Sequence, residues 1–308
     1  MKQLNNTLSV LLLAASSLLL SACSDDDSST AGTAAKDVAI QFAARINDAD
    51  FNCGQTYTGV GSGSNDFIAN DFRMYLHEAH VHDDASGITY PIELTQDDQW
   101  QLDDVVMLDF EDASGGCSGT PEMNTQIKGQ VTVPDTVDLS ATEVCFTLGL
   151  PADKNHIDEA TAASPLNASG MLWAWKIGRK YIRIDGIGDP AGANQPFNLH
   201  LGAQGCPGTV NTAAPDSACT VPNTVEVCLD NFNLASSVIE VNPGQVLEGN
   251  DVSVNFTGGA SAIPGCQSFI DDNDCEEIMP RLGLSYAYGR VSGTQSTYTA
   301  GQKLFSKQ

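Results

Sequence analysis

Positive charge is scarce in this sequence. Its 308 residues include 14 Lys and Arg against 39 Asp and Glu, which gives a formal net charge of −25. A surface of this charge repels nucleic acids and anionic lipid head groups. It attracts cations or a basic protein partner, although acidic residues also serve simply to keep a protein soluble. Composition alone does not decide between these roles.

The motifs of common enzymes are also missing. The sequence has no HExxH, no P-loop and no dinucleotide fingerprint. Residues 59–64 are rich in Gly and Ser, but no Ser there has Gly two positions away on both sides, as a nucleophile elbow requires. No CxxCH is present, so the chain attaches no c-type haem itself. None of these hydrolase, nucleotide-binding or haem-attachment signatures is therefore present in the sequence.

Long amphipathic helical stripes are nearly absent, and short runs rich in Val, Ile, Phe and Tyr alternate with Gly, Pro, Asn and Asp clusters. This pattern predicts a mainly β fold, an antiparallel β-sandwich with disulfide-stapled loops. One helical turn is expected at 158–163 and a short helix at 275–282. A composition shift at 207–222 indicates either a domain boundary or a closed loop. The predicted strands are 38–45, 71–82, 105–110, 126–133, 143–149, 171–184, 197–201, 225–229, 238–241 and 252–256.

The N-terminus has the features of an export signal. Lys2 precedes an apolar run at 11–20, which is too short to span a membrane. The run ends in Leu20-Ser21-Ala22-Cys23, which resembles the lipobox of bacterial lipoproteins, where the Cys becomes acylated. An ordinary signal peptide that contains a Cys is the alternative.

This resemblance divides the chain into three segments. Residues 1–22 are a lipoprotein signal peptide, 23–36 a flexible tether and 37–308 a single β-rich domain. Because Ser24 follows the cysteine, the resemblance implies an outer-membrane lipid anchor on the periplasmic or cell-surface face.

The chain has nine cysteines, of which eight remain when Cys23 is assigned to the lipid. An even number in an exported protein indicates disulfides, each stabilising by roughly 2–4 kcal/mol. Proximity favours the pairs Cys206–Cys219 and Cys266–Cys275, whose loops are rich in Gly, Pro or Asp. By elimination, the pairs Cys53–Cys117 and Cys145–Cys228 staple distant segments. No CxxC pair occurs, which argues against a zinc or redox thiol site.

The histidines are few: His77, His80, His82, His156 and His200. On a strand, His80 and His82 share one face and His77 lies on the other. An HxH pair on a strand suits a metal chelate, and solvent-facing polar residues at a strand end explain the same pattern. His200 lies in an apolar segment, where a structural buried histidine is equally compatible.

Residues Met171, Trp173 and Trp175 alternate along the chain and would share a face of a strand. An aromatic core face is the common use of such a row. Three oxidisable side chains in register could also line a redox or metal site.

Ordered motifs extend over nearly the whole chain after the tether. They are Phe42-Ala43-Ala44, Cys53-Gly54-Gln55-Thr56-Tyr57, the stretch 71–77, Trp100 with 106–112, Cys117 with Gly119-Thr120 and Asn124, the stretch 146–151, Asn155-His156, Ser164-Pro165-Leu166-Asn167, Met171-x-Trp173-x-Trp175, Phe197-x-x-His200-Leu201-Gly202, Gly205-Cys206, and Cys266 to Cys275 followed by Leu282-Gly283-Leu284. Each is weak alone, but the ordered set resembles the MbnP-like proteins, also called metallo-mystery pair four-Cys proteins.

The resemblance implies a β-rich exported protein that binds copper and is not itself an enzyme. Its implied partner is a di-haem protein similar to MauG and bacterial cytochrome c peroxidases, which oxidises a Trp to the kynurenine on which copper binding depends. By motif position, His77, His156 and His200 are the candidate copper ligands, and Trp173 or Trp175 is the candidate for oxidation.

Two departures and two alternatives accompany this hypothesis. The chain has eight cysteines after Cys23 where the family name implies four, and His80 and His82 fall outside the family pattern. One alternative is a β-sandwich adhesion or scaffold lipoprotein without metal. The other is a Ca²⁺-binding surface module built on Asp271, Asp272 and Asp274, although that run lacks the spacing of an EF-hand loop.

Overall fold

Strands account for most of the regular structure, as the sequence predicts. The computed structural model describes residues 32–117, 119–255, 265–269, 271–286 and 301–308. Within these ranges, no helix has both the length and the apolar character needed to cross a bilayer. The strands are β1 (Thr33–Ile46), β2 (Ala49–Asp50), β3 (Thr56–Val60), β4 (Asn65–Asp83), β5 (Ile88–Leu94), β6 (Gln101–Leu102), β7 (Val105–Asp109), β8 (Gln126–Pro134), β9 (Thr142–Leu148), β10 (Leu172–Ala174), β11 (Gly178–Arg179), β12 (Ile182–Gly188), β13 (Gln195–Leu201), β14 (Val225–Phe232), β15 (Val238–Val241), β16 (Gly265–Cys266) and β17 (Phe305–Lys307), and the helices are α1 (Ala152–Asn155), α2 (Pro243–Leu247) and α3 (Cys275–Arg281).

The signal peptide predicted at 1–22 and the lipidation predicted at Cys23 lie outside the described residues. The tether predicted at 23–36 extends into them, and its last residues belong to β1, which begins at Thr33 instead of residue 38. Residues 33–37 pair in register with β8, and this pairing gives their backbone groups hydrogen-bond partners. The sequence does not predict this part of the strand, because its side chains lie mostly at the surface and show no hydrophobic alternation.

The long strand β4 organises the sheet. Its 19 residues pair with β3, β5, β7, β9 and β12. The strand β5 pairs with β4 through its first half and with β8 through its second half, so the sheet curls from one layer into the other. The second layer is completed by β1, β15 and β17 beside β8.

Most pairs are antiparallel, but β1 with β15 and β13 with β16 are parallel. The mainly β class is confirmed, and the sheet itself is mixed.

The core lies between these two layers. Phe146 of β9 contacts Phe42 of β1 at 5.7 Å and Phe305 of β17 at 5.0 Å between ring centroids, both edge to face. Edge-to-face aromatic pairs add about 0.5–1.5 kcal/mol beyond the area they bury. These ring contacts therefore join the two layers and pack β17, the last described strand, against the core.

All four expected disulfides are present: Cys53–Cys117, Cys145–Cys228, Cys206–Cys219 and Cys266–Cys275. The pair Cys145–Cys228 joins directly opposed residues of β9 and β14. The pair Cys206–Cys219 closes the segment where composition changes, which identifies that change as a closed loop.

Two sequence predictions need correction, whereas the single turn expected at 158–163 is present. The strand expected at 171–184 is broken into β10, β11 and the start of β12, with turns between them. No strand includes the described residues 252–255 of the run predicted at 252–256. Residues 158–162 form a single hydrogen-bonded turn, closed by Ala162 N–H donating to the Asp158 carbonyl, and the nearby helix is α1.

Candidate functional site

His156 and Trp175 hold each other through two hydrogen bonds. The His156 Nδ1–H donates to the Trp175 carbonyl at 3.1 Å, and the Trp175 indole N–H donates to the His156 carbonyl at 2.7 Å. His156 follows α1, and Trp175 lies in the turn between β10 and β11. Both side chains are half-buried. One candidate ligand and one candidate tryptophan therefore form a unit.

The side chain of Arg179 fixes the chain around this unit. It is fully buried, and among the described residues it donates hydrogen bonds only to backbone carbonyls. Its acceptors are the carbonyls of Lys154, Asn155, Ile157 and Leu166. We call this arrangement, Arg179 with its four carbonyls, the Arg179 cage. It holds residues 154–157, and hence His156, against β11.

Asn155 sets the tautomer of His156. The backbone N–H of Arg179 donates to Asn155 Oδ1 at 2.7 Å. This contact orients the Asn155 amide so that its Nδ2 lies 3.2 Å from His156 Nε2. Gly178 permits this contact, because a Cβ there would lie 2.5 Å from Asn155 Nδ2. Burial, together with the charge of Arg179, lowers the pKa of His156. The imidazole is therefore neutral at pH 7, with its Nε2 lone pair facing away from the Trp175 carbonyl.

The Cys206–Cys219 disulfide lies beside the same nitrogen. Cys219 Sγ is 3.3 Å from His156 Nε2. A small cavity of about 130 Å³ is lined by His156, Cys219, Asn155 and Tyr181 among others. The imidazole edge thus borders open space and a disulfide.

Trp173 lies beside His200. The ring centroids are 6.2 Å apart and the rings meet edge to face. Trp173 also packs over Gly202, where a Cβ would come within 2.4 Å of the indole. Both ring nitrogens of His200 have partners: Nδ1 lies 2.7 Å from Gln267 Oε1, and Nε2 lies 2.5 Å from Asp185 Oδ1.

His200 is the end of a row of ion pairs across β13, β12 and β4. Asp185 binds Arg183 at 2.6 Å, Arg183 binds Asp71 at 3.1 Å, and Asp71 binds Arg73 at 2.5 Å. Arg73 Nε lies 3.2 Å from a carboxylate oxygen of Glu111. We call this row, with members Asp185, Arg183, Asp71, Arg73 and Glu111, the ion-pair ladder.

The register of the strands explains the ladder. Asp185 of β12 faces Asp71 of β4, and Arg183 faces Arg73, so diagonal neighbours carry opposite charges.

The two ends of the ladder titrate differently. Burial raises the pKa of Asp185, but hydrogen bonds and charges from His200 and Arg183 outweigh it and lower the value to about 2. Burial, with the nearby Asp71, raises the pKa of Glu111 to about 8 despite Arg73.

His77 has a different environment. It is 5 % exposed in β4, and neither ring nitrogen has a hydrogen-bond partner among the described residues. Its Nδ1 lies 3.6 Å from the Glu78 carboxylate. Burial lowers its pKa, which Glu78, Asp104 and Asp153 only partly offset. A buried ring without partners is costly, and metal binding is one way in which such a group is satisfied.

The structure therefore pairs His156 with Trp175 and His200 with Trp173, and it gives His77 separate neighbours. Within the described ranges, no cluster of three or more metal-ligating groups brings ligand atoms of any two of these histidines within 4.8 Å of one another.

The remaining candidates are engaged elsewhere. His80 Nδ1 lies 2.9 Å from the Glu78 carbonyl and His82 Nδ1 lies 3.2 Å from the Thr89 hydroxyl, and both rings are half-buried. The Asp272 carboxylate accepts the Gln267 and Asp274 backbone N–H groups at 2.7 and 3.1 Å. Because Asp272 caps backbone, the calcium alternative is not favoured.

Two residues of the site, Arg179 and Gln267, have no place in the sequence argument, and Asn155 appears there only as part of a motif. Arg179 carries a weak signal, since it lies among the Ile and Tyr residues of 177–184, where a buried charged side chain must find partners. Nothing comparable marks Gln267, whose neighbour His200 is distant in sequence.

Comparison with known proteins agrees with this architecture. The MbnP family model matches residues 35–268. The solved structure of MbnP from Methylosinus trichosporium is 30 % identical, covers 89 % of this chain and 98 % of its own, and superposes with a TM-score of 0.74. No curated protein matches the sequence. The family assignment agrees with the expectation of a non-catalytic protein, and it turns the resemblance of the ordered motifs into a finding: the chain belongs to the MbnP family.

Proposed function

We propose that this protein binds copper through histidine nitrogens and a tryptophan that a di-haem partner oxidises to kynurenine. The observation that carries the proposal is the pairing of each candidate tryptophan with a candidate histidine. A modification at either indole would therefore change the surroundings of an imidazole directly.

The donor groups fit copper in part. Imidazole nitrogen suits copper, and every described cysteine is held in a disulfide, so no thiolate competes. His156 offers its Nε2 while its Nδ1–H is anchored on a carbonyl, as metal-bound histidines usually are. His77 offers two buried nitrogens without partners. His200 fits least well, because a metal would have to displace Asp185 or Gln267.

The hydrogen bonds favour Trp175 over Trp173 as the oxidised residue. Kynurenine replaces the indole N–H by an aniline nitrogen and adds a ketone, and both groups would arise beside His156. Trp173 instead packs against Gly202, His200 and Phe269, where it supports the fold.

The partner and the location belong to the same proposal. A di-haem protein similar to MauG or bacterial cytochrome c peroxidases would supply the oxidising equivalents, and electrons can hop through aromatic side chains. The net charge of −25 would help to recruit a partner with a basic face. A lipid on Cys23 would hold the protein at the outer membrane, where the partner and copper are both encountered.

The decisive test is co-expression with the di-haem partner, followed by peptide mass analysis of residues 171–176 and copper quantification. Wild type and Trp173→Phe are expected to show the tryptophan-to-kynurenine mass change and to bind copper. Trp175→Phe is expected to lose both. The opposite pattern would move the oxidation to Trp173, and a wild type with neither mass change nor copper would exclude the proposal.

A metal-free scaffold is the second candidate. The separate environments of His77, His156 and His200 favour it. It predicts that His156→Gln leaves copper content unchanged, whereas the copper proposal predicts a loss of at least tenfold in affinity.

A further inference from the structure

We propose that His156, Cys206 and Cys219 form a latent metal site that opens when a dithiol reduces the Cys206–Cys219 disulfide. Its ligands would be two thiolates and the His156 Nε2, and its cation would be a thiophilic divalent ion such as Zn²⁺ or Cd²⁺. The site needs neither kynurenine nor bound copper, so it goes beyond the proposed function.

The distances already approach those of a metal site. The three ligand atoms lie within 4.8 Å of one another, and Cys219 Sγ is 3.3 Å from His156 Nε2. Zinc–sulfur and zinc–nitrogen bonds of ordinary length put tetrahedral N and S ligands about 3.6 Å apart. The histidine and Cys219 therefore need little movement. The two sulfurs must separate to about 3.8 Å, the tetrahedral S–S spacing set by the same bond lengths.

The loop that the Cys206–Cys219 disulfide closes is also held at its base by backbone hydrogen bonds. Gln204 and Val221 form an isolated antiparallel bridge with backbone hydrogen bonds of 2.7 and 3.0 Å. Opening the disulfide therefore leaves Cys206 and Cys219 as neighbours, because the bridge flanks both. The 13-residue separation between the cysteines contains no helix or strand, so it can adjust to the new sulfur spacing.

The imidazole is prepared for this role. Its Nδ1–H is anchored on the Trp175 carbonyl, and the one donor to its Nε2 among the described residues is Asn155, at 3.2 Å. The cavity of about 130 Å³ beside His156 and Cys219 leaves room for a fourth ligand such as water.

The local charge favours thiolates. Arg179 is fully buried, and its side chain has only carbonyl acceptors among the described residues. Its positive charge acts on His156 and stabilises negative groups nearby. Two thiolates, a neutral imidazole and a divalent cation give a site without net charge, which suits a half-buried position.

The dithiol supplies the electrons and protons that reduction of the Cys206–Cys219 disulfide requires. The dithiol transfers two electrons and two protons to the Cys206–Cys219 bond, which breaks, while the dithiol closes to its own disulfide. Metal binding then releases the two protons of the protein thiols.

The test uses Cd²⁺, whose thiolate bonds give an ultraviolet charge-transfer band, on full-length protein made without a di-haem partner. Cys206→Ser frees Cys219 without any reductant and is expected to bind one Cd²⁺ with a single-thiolate band. Adding His156→Gln is expected to weaken that binding at least tenfold. Wild type treated with limiting dithiol is expected to give a stronger, two-thiolate band, with alkylation mapping to Cys206 and Cys219.

The controls separate this site from the other cysteines. Cys206→Ser/Cys219→Ser is expected to lose the band. Cys145→Ser/Cys228→Ser removes a disulfide that strand pairing also supports and is expected to keep it after dithiol. Absence of Cd²⁺ binding by Cys206→Ser, or a band that survives the Cys206→Ser/Cys219→Ser change, overturns the proposal. Because no copper is involved, either result leaves the proposed function untouched.

Discussion

Three arginines, two buried and one half-buried, support two histidines in opposite ways. Within the described part of the chain, Arg179 binds only carbonyls, and the histidine beside it is neutral with an Nε2 that accepts one hydrogen bond, from Asn155. Arg73 and Arg183 bind carboxylates, and the ladder they build ends on His200, whose two nitrogens are both engaged. The same type of side chain thus prepares one histidine for a ligand and locks the other into the sheet.

The difference follows from where the two groups lie. The Arg179 cage is formed by turns and a four-residue helix, whose carbonyls lack regular partners. The ion-pair ladder lies on paired strands, where backbone groups are already satisfied and only side chains can neutralise an arginine. Each region can therefore be disrupted separately, and the effects should differ in size and in pH dependence.

Replacing Arg179 is expected to have the largest effect. Arg179→Met leaves four buried carbonyls without donors and should lower the free energy of unfolding by about 3–5 kcal/mol. Urea unfolding followed by circular dichroism measures the change. The matched control is Arg45→Met, whose half-exposed side chain should contribute less than about 1 kcal/mol. Equal effects at both positions would show that the cage does not stabilise the site.

Replacing Asp185, which breaks the ion-pair ladder, should lower the free energy of unfolding by an intermediate, pH-dependent amount. The folded pKa of Asp185, about 2, lies below the ordinary 3.8, so its contribution is present above about pH 4 and is lost as pH falls toward 2. Asp185→Asn should cost about 2 kcal/mol at pH 7 and remove that part of the acid dependence. Unfolding measured from pH 2 to 7 tests this, and parallel pH profiles for the two proteins would contradict it.

Replacing His77 should have the smallest effect on stability and the opposite sign. The folded pKa of His77 lies below 6.5, so wild type loses stability as pH falls below about 6.5, where the unfolded chain binds a proton that the folded chain refuses. His77→Leu should raise the free energy of unfolding by about 1 kcal/mol at pH 7. It should also remove the loss of stability at low pH and reduce copper binding. His80→Leu, at a half-buried ring with a partner, is the control. A destabilised His77→Leu protein would mean that the ring is satisfied in a way the described residues do not show.

The sequence predicts the sheet better than the site. Runs such as 126–133 and 238–241 alternate clearly and become β8 and β15 almost unchanged. The run at 171–184 looks like one strand because it is rich in aromatic and aliphatic residues, yet Gly178 has φ +90° and the chain turns back there. The sequence does not predict strand β17, because its three residues form a strand only by pairing with β15 and burying Phe305 against Phe146.

The disulfides follow from proximity and elimination, but the site depends on contacts between distant segments. No spacing rule brings Gln267 to His200, or residues 154–157 and 166 to Arg179, because each contact is created by the folded sheet. The pairing of each tryptophan with a different histidine likewise became apparent only in three dimensions.

The parallel pairing of β1 with β15 affects how the protein can fold. Residues 41–44 must meet residues 238–241, so one edge of the first strand stays uncovered until most of the chain is available. Contacts this distant in sequence slow folding, because a long loop must close before they form. A chain of this topology therefore completes that edge of the sheet late in folding. The covalent staples between distant segments would then shorten the conformational search once oxidation begins.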